Sequence, residues 1–153
     1  PPRDKINCLI SFFNMLCYSM CQSAVAATQL HDGISYLHQA YGNRQSLRLD
    51  VAEIFKPMLV DSLIKKAVAQ NELSGDDFDR SEGVCLLNKS GKRKCYKMWD
   101  DAINETVYLP TLGRSVSYKT LAKTECNKLV KHFLGLKVYT SIKGAENEGK
   151  TGD

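Results

Sequence analysis

The chain has 153 residues, 43% hydrophobic and 25% charged, with 21 Lys and Arg against 17 Asp and Glu. That length suits one domain around a single core, and the composition excludes a disordered or collagen-like chain. A formal net charge of +4 permits a nucleic-acid partner without demanding one.

The chain opens Pro1-Pro2-Arg3, with no methionine and no signal-like segment, so the expectation is a piece cut from a longer protein. Asp4 is placed to cap a helix that continues without a breaker to about Gln29. From Ile6 to Leu30 no residue is charged, a run long enough to cross a membrane. A polar stripe of Asn7, Ser11, Asn14, Tyr18 and Gln22 at helical spacing argues instead for the buried centre of a helical domain. The stripe either faces a polar cleft or bonds neighbouring backbone. His31-Asp32-Gly33 ends the helix, with Gly33 expected in the left-handed conformation. An adjacent His-Asp pair also serves metal-dependent HD phosphohydrolases, but these need an earlier histidine, and none precedes His31. Helix capping is the role expected of the pair.

The most informative stretch is Tyr36 to Pro57. His38 sits in a loop running to Ser46, the expected cap of the next helix. Asp50 and Glu53 follow three residues apart, hence on one helical face. A loop histidine folded over them completes three ligands for a divalent cation, Mg or Mn by donor type. Arg44, Arg48 and Lys56 are interleaved with these residues and suit a phosphate-bearing partner. A blander reading of the same residues stays open, because acidic groups near a helix start also answer the macrodipole.

The helix runs on from Leu47 to about Leu73 with Pro57 inside it, so a kink or restart is expected just beyond Glu53. Leu59, Val60, Leu63, Ile64, Ala67 and Val68 form its apolar face, while Asp61, Lys65 and Lys66 point outward. Ser74 to Asp79 reads as a solvated acidic connector. Val84 to Leu87 and Lys92 to Tyr96, joined by Asn88 to Gly91, read as a β-hairpin with a basic tip from Lys89 to Lys94. Lys97 to Glu105 forms a short helix with Trp99 as core anchor. After a turn from Pro110 to Arg114, Ser117 caps a last helix. Tyr118, Leu121, Ala122, Leu129, Val130, Phe133 and Leu134 share its apolar face, and Gly135 stops it. His132 falls with Lys128 and Lys131 on the solvated side. Residues 1–143 thus make one mainly α domain with one small β-hairpin, and 144–153 a disordered polar tail.

The six cysteines form no C-x-x-C pair and no zinc-finger spacing, so they read as free thiols of a reducing, cytoplasmic protein. Cys85 and Cys95 flank the expected hairpin, where a disulfide is the lesser alternative.

The order of these features resembles the catalytic helical domain of the CRISPR spacer-acquisition endonuclease and integrase family, Cas1. Carrying the resemblance are Asn7 and its apolar helix, Gly33-Ile34, Leu37-His38, Ser46-Leu47, Val60-Asp61 and above all Leu49-Asp50-Val51-Ala52-Glu53-Ile54-Phe55-Lys56-Pro57. The hairpin and the last helix, Tyr118 to Tyr139, also resemble the family's later part, and the resemblance extends to about residue 143. It implies a metal-dependent DNA endonuclease and integrase, with His38 and Glu53 as metal ligands and Asp50 as an acidic group beside them. It implies contact with branched or duplex DNA, the CRISPR repeat and incoming spacer, by Arg44, Arg48 and Lys56, with Lys65, Lys66 and the basic hairpin tip from Lys89 to Lys94 as lesser candidates. It also implies a Cas2 family subunit and a homodimer of the full-length protein, with no membrane. The family's third ligand, a glutamate, and its β-rich N-terminal domain fall before Pro1, so the isolated piece is expected to bind metal weakly and to be inactive. The rival readings are a non-catalytic helical docking module for DNA or protein, and an inactive relative that keeps the fold.

Overall fold

A computed structural model describes residues 1–37, 46–109 and 113–142. Helix α1, Lys5–Ala26, runs through the middle. Asp4 caps it as its sequence implies, accepting the Asn7 backbone N–H at 2.8 Å. The helix is apolar and long enough to span a membrane by composition, yet Cys8, Leu9, Phe13, Cys17, Cys21, Ala24 and Val25 are buried against other elements. It ends at Ala26, before the expected Gln29, and Gly33 is absent from the residues of positive φ. The helix closes instead on Ala27, whose N–H reaches back to the Ser23 carbonyl.

Helix α2, Leu47–Phe55, packs along α1. The break expected at Pro57 is a π-helical turn, Lys56–Val60, before α3, Asp61–Ala69. Proline lacks an N–H and its ring crowds the carbonyl four residues back. Widening the turn by one residue relieves both, and the Asp61 N–H bonds the Lys56 carbonyl five residues earlier. Leu59, Val60, Leu63 and Ala67 are buried, whereas Val68 stands 55% exposed and leaves the expected apolar face.

The expected hairpin is not formed. Strand β2, Val84–Leu87, pairs antiparallel with β1, Phe78–Ser81, through a turn at Glu82-Gly83, both at positive φ. Residues 92–96 belong to helix α4, Lys89–Asn104. Asn88 is its N-cap, accepting the Gly91 N–H at 3.0 Å. Gly91 is needed for packing, because a Cβ there would lie 2.3 Å from the Asp77 carbonyl oxygen. Nor is the acidic connector solvated throughout. Asp77 is buried and accepts from the Ser74 N–H at 2.9 Å and from Lys94 Nζ at 2.8 Å.

A second hairpin, unexpected from sequence, joins β3, Thr106–Leu109, to β4, Arg114–Ser117, and burial of Leu109 and Val116 fixes its inner face. Ser117 caps α5, Tyr118–Phe133, as expected, and Gly135 at φ +69° ends it. Leu121, Ala122 and Leu129 are buried, but Phe133 and Leu134 are exposed. The fold is therefore mainly α with two small two-stranded sheets among the described residues. Phe13, Phe55, Leu47, Leu59 and Leu121 lie at the centre of its core together with Trp99. All six cysteines are free and buried, Cys85 and Cys95 included.

Candidate metal and nucleic-acid site

Helix α2 is started from outside its own sequence. Ser46 makes no side-chain cap bond. Its hydroxyl donates to Ser35 Oγ at 2.8 Å. The cap comes from Asp32, whose Oδ1 accepts the Arg48 N–H and whose carbonyl accepts from Ser46 and Leu47, all at 2.9 Å. The capping role expected of His31-Asp32 is thus exercised on the next helix. His31 bonds only locally, its Nδ1 accepting the Gly33 N–H.

One turn on, Asp50 is 7% exposed, and its Oδ2 accepts the backbone N–H groups of Tyr36 and Leu37 at 2.5 and 3.0 Å. A buried carboxylate is stable only when so satisfied. This one ties down the backbone immediately before His38. Asp50 and burial together push the Tyr36 hydroxyl above its ordinary value, burial being the larger cause. The Tyr36 ring stacks on Phe133 at the end of α5, with centroids 5.5 Å apart.

Glu53, on the same face, is exposed and accepts from Lys56 Nζ at 2.5 Å. Lys56 also lies 5.1 Å over the Tyr18 ring. Partial burial draws the Lys56 ammonium down, but its bonds to Glu53 and Tyr18 outweigh that and leave it raised. The polar stripe of α1 has one side on this site. Tyr18 meets Lys56, and Gln22 Oε1 accepts from the Arg48 guanidinium at 2.6 Å, while Asn7 turns back to Asp4. Lys65 and Lys66 are exposed on α3.

His38 and Arg44 lie outside the described residues. Among those described, no group of three or more His, Cys, Asp or Glu side chains gathers as a cation site. On α2 the Glu53 carboxylate is exposed to solvent, and Asp50, three residues earlier, is buried. Neither Asp32 as the cap of α2 nor Tyr18 as the partner of Lys56 was legible in the sequence.

The comparisons with known proteins decide the lineage. The profile for CRISPR associated protein Cas1 matches residues 1–101. A CRISPR-associated endonuclease Cas1 of Thermodesulfovibrio yellowstonii is 43% identical over 143 residues, 94% of this chain and 44% of that protein. This chain belongs to the Cas1 family. A Cas1 endonuclease of Clostridium perfringens is 44% identical, across 94% of this chain and 43% of its own length. The solved Cas1 protein of Thermotoga maritima superposes with a TM-score of 0.84 at 40% identity, over 91% of this chain and 43% of its own. A casposase bound to integration product superposes at 0.83 with 21% identity, a likeness of fold. The chain spans less than half the length of these Cas1 relatives.

Proposed function

We propose that this chain is the helical catalytic part of a divalent-metal-dependent DNA endonuclease and integrase that acts in CRISPR spacer acquisition. The observation that supports this most is the arrangement on α2 of a Cas1 family chain. Glu53 faces solvent beside Lys56, while Asp50 holds the backbone that leads directly into His38.

In this reading His38 and Glu53 hold Mg or Mn, and Asp50 orients the entry to His38 from behind. The bound cation supplies Lewis-acid polarisation of the scissile phosphodiester. Arg44, Arg48 and Lys56 hold phosphates beside it, with Lys65 and Lys66 extending the contact along α3, and phosphate contacts position DNA without reading its sequence. The attacking group is the 3′-hydroxyl of the incoming strand, so the protein supplies no nucleophile. Branched or duplex DNA, comprising repeat and incoming spacer, is the substrate. A Cas2 family subunit and a second copy of the full-length protein are the partners, and the compartment is the cytoplasm.

The reading is tested by Mn binding to the full-length protein, followed by calorimetry. His38→Ala and Glu53→Ala are each expected to weaken binding at least tenfold, about 1.4 kcal/mol, with thermal stability retained. Unchanged Mn affinity in both variants would remove the metal site from this stretch.

A further inference from the structure

The basic residues that sequence assigns to a hairpin tip stand instead on one face of α4, where their placement opposes helix stability. Lys89, Lys92 and Arg93 occupy its first two turns, and no acidic residue lies in the first. Cations at a helix N-terminus work against the macrodipole, by about 0.3–1 kcal/mol each. Like charges at i,i+3 and i,i+4, as Lys89 stands to Lys92 and Arg93, add about 0.2–0.5 kcal/mol per pair. Lys94 on the same helix is neutralised by Asp77 at 2.8 Å. Among the described residues no ion pair or hydrogen bond offsets Lys89, Lys92 or Arg93.

These three side chains and Tyr96 line one open hollow of about 430 Å³. Tyr96 is 53% exposed and held edge-on against Phe12 of α1, with centroids 5.2 Å apart. At roughly 100° per residue, Phe12 lies about 200° around α1 from Asn14 and about 240° from Tyr18. The short way round that is about 120° from Tyr18, so the hollow borders a different side of α1 from Tyr18, Lys56 and Glu53. Three unpaired cations beside a half-exposed aromatic ring are the elements of a surface that tracks a nucleic-acid backbone and stacks a base.

We propose that Lys89, Lys92, Arg93 and Tyr96 form a second DNA contact surface, separate from the α2 face, that grips the phosphates of one strand and stacks an unpaired base on Tyr96. The proposal rests on the DNA-directed reading of the chain but not on the metal site. The Lys89→Ala/Lys92→Ala/Arg93→Ala variant alters only exposed side chains on a helix whose cap, Asn88, is kept.

The test is the salt dependence of binding of branched DNA with single-stranded ends by the full-length protein, measured for wild type and the triple variant. Three lost phosphate contacts lower the slope of log K against log salt by about 2–3, so wild type should lose about twenty- to fortyfold more affinity than the variant between 50 and 200 mM salt. Tyr96→Leu, which keeps an apolar contact with Phe12, should leave the slope unchanged and weaken single-stranded-ended DNA more than blunt duplex. An unchanged slope in the triple variant overturns the proposal, as does an unchanged slope with lost assembly onto a protein partner, which assigns the hollow to an acidic protein surface. His38→Ala, which tests the metal site, should leave the salt slope at its wild-type value, so failure of one reading is separable from failure of the other.

Discussion

Glu53 and Lys56 form an ion pair one helical turn apart, 2.5 Å between Nζ and Oε1, with side chains 42% and 22% exposed. Under the proposed reading a divalent ion at Glu53 competes with Lys56 for this carboxylate. A Lys56 released in that way meets the phosphate in the same reading.

Lys56→Met should separate these two roles. A partly exposed ion pair is worth at most about 1 kcal/mol, so the full-length variant should bind Mn up to about fivefold more tightly while binding DNA more weakly. A drop in Mn affinity would show that Lys56 supports the metal site instead of competing for it.

Capping of α2 from Asp32 has its own signature. Asp32→Ala removes the acceptor of the Arg48 N–H and should cost about 1 kcal/mol of stability by denaturant titration. Asp32→Asn, which keeps an acceptor, should recover most of it. A neutral Asp32→Ala would show that the backbone carbonyl of Asp32 suffices.

The ion pair of buried Asp77 with exposed Lys94 predicts an acid limb of stability. Its bond to Lys94 is the largest cause holding the Asp77 carboxyl at about 2, against an ordinary 3.8. A carboxyl depressed in the folded state stabilises fully above its unfolded value, and the contribution is lost as pH falls through the folded one. Stability on the order of 1–2 kcal/mol should therefore disappear between about pH 4 and pH 2. Asp77→Asn should flatten that limb of the unfolding curve, and an unaltered limb would assign it to other carboxylates.

The thiols should be inert in the folded chain. Burial is the largest cause that pushes Cys95 and Cys126 up to about 12, and all six sulfurs are buried. A thiolate is the reactive species. At pH 8 a disulfide reagent should modify fewer than one cysteine per native chain and six after denaturation. Rapid native modification would place a thiol at the surface.

The features legible in the sequence are those set by neighbours in the chain. The Asp4 and Ser117 caps, the break at Pro57 and the stop at Gly135 each depend on residues within one or two turns. The placing of Asp50 and Glu53 one turn apart on α2 is equally local. What escaped depends on distance. Asn88 to Gly91 carries the composition of a turn, but Gly91 is there because the Asp77 backbone presses against it. The partner of β2 follows an acidic stretch whose Asp77 is buried against Lys94, seventeen residues on, which neutralises it. Asp32 capping α2 and Asp50 holding Tyr36 are contacts across 16 and 14 residues, beyond the reach of any periodicity.

Strand chemistry at the α2 face is read by Mn-dependent cleavage and rejoining of branched DNA by the full-length protein, beside His38→Ala and Glu53→Ala forms that still bind DNA. Loss of both reactions with binding retained is the predicted result. Activity that persists in both variants would contradict the claim and make the Tyr36 to Pro57 stretch scaffold.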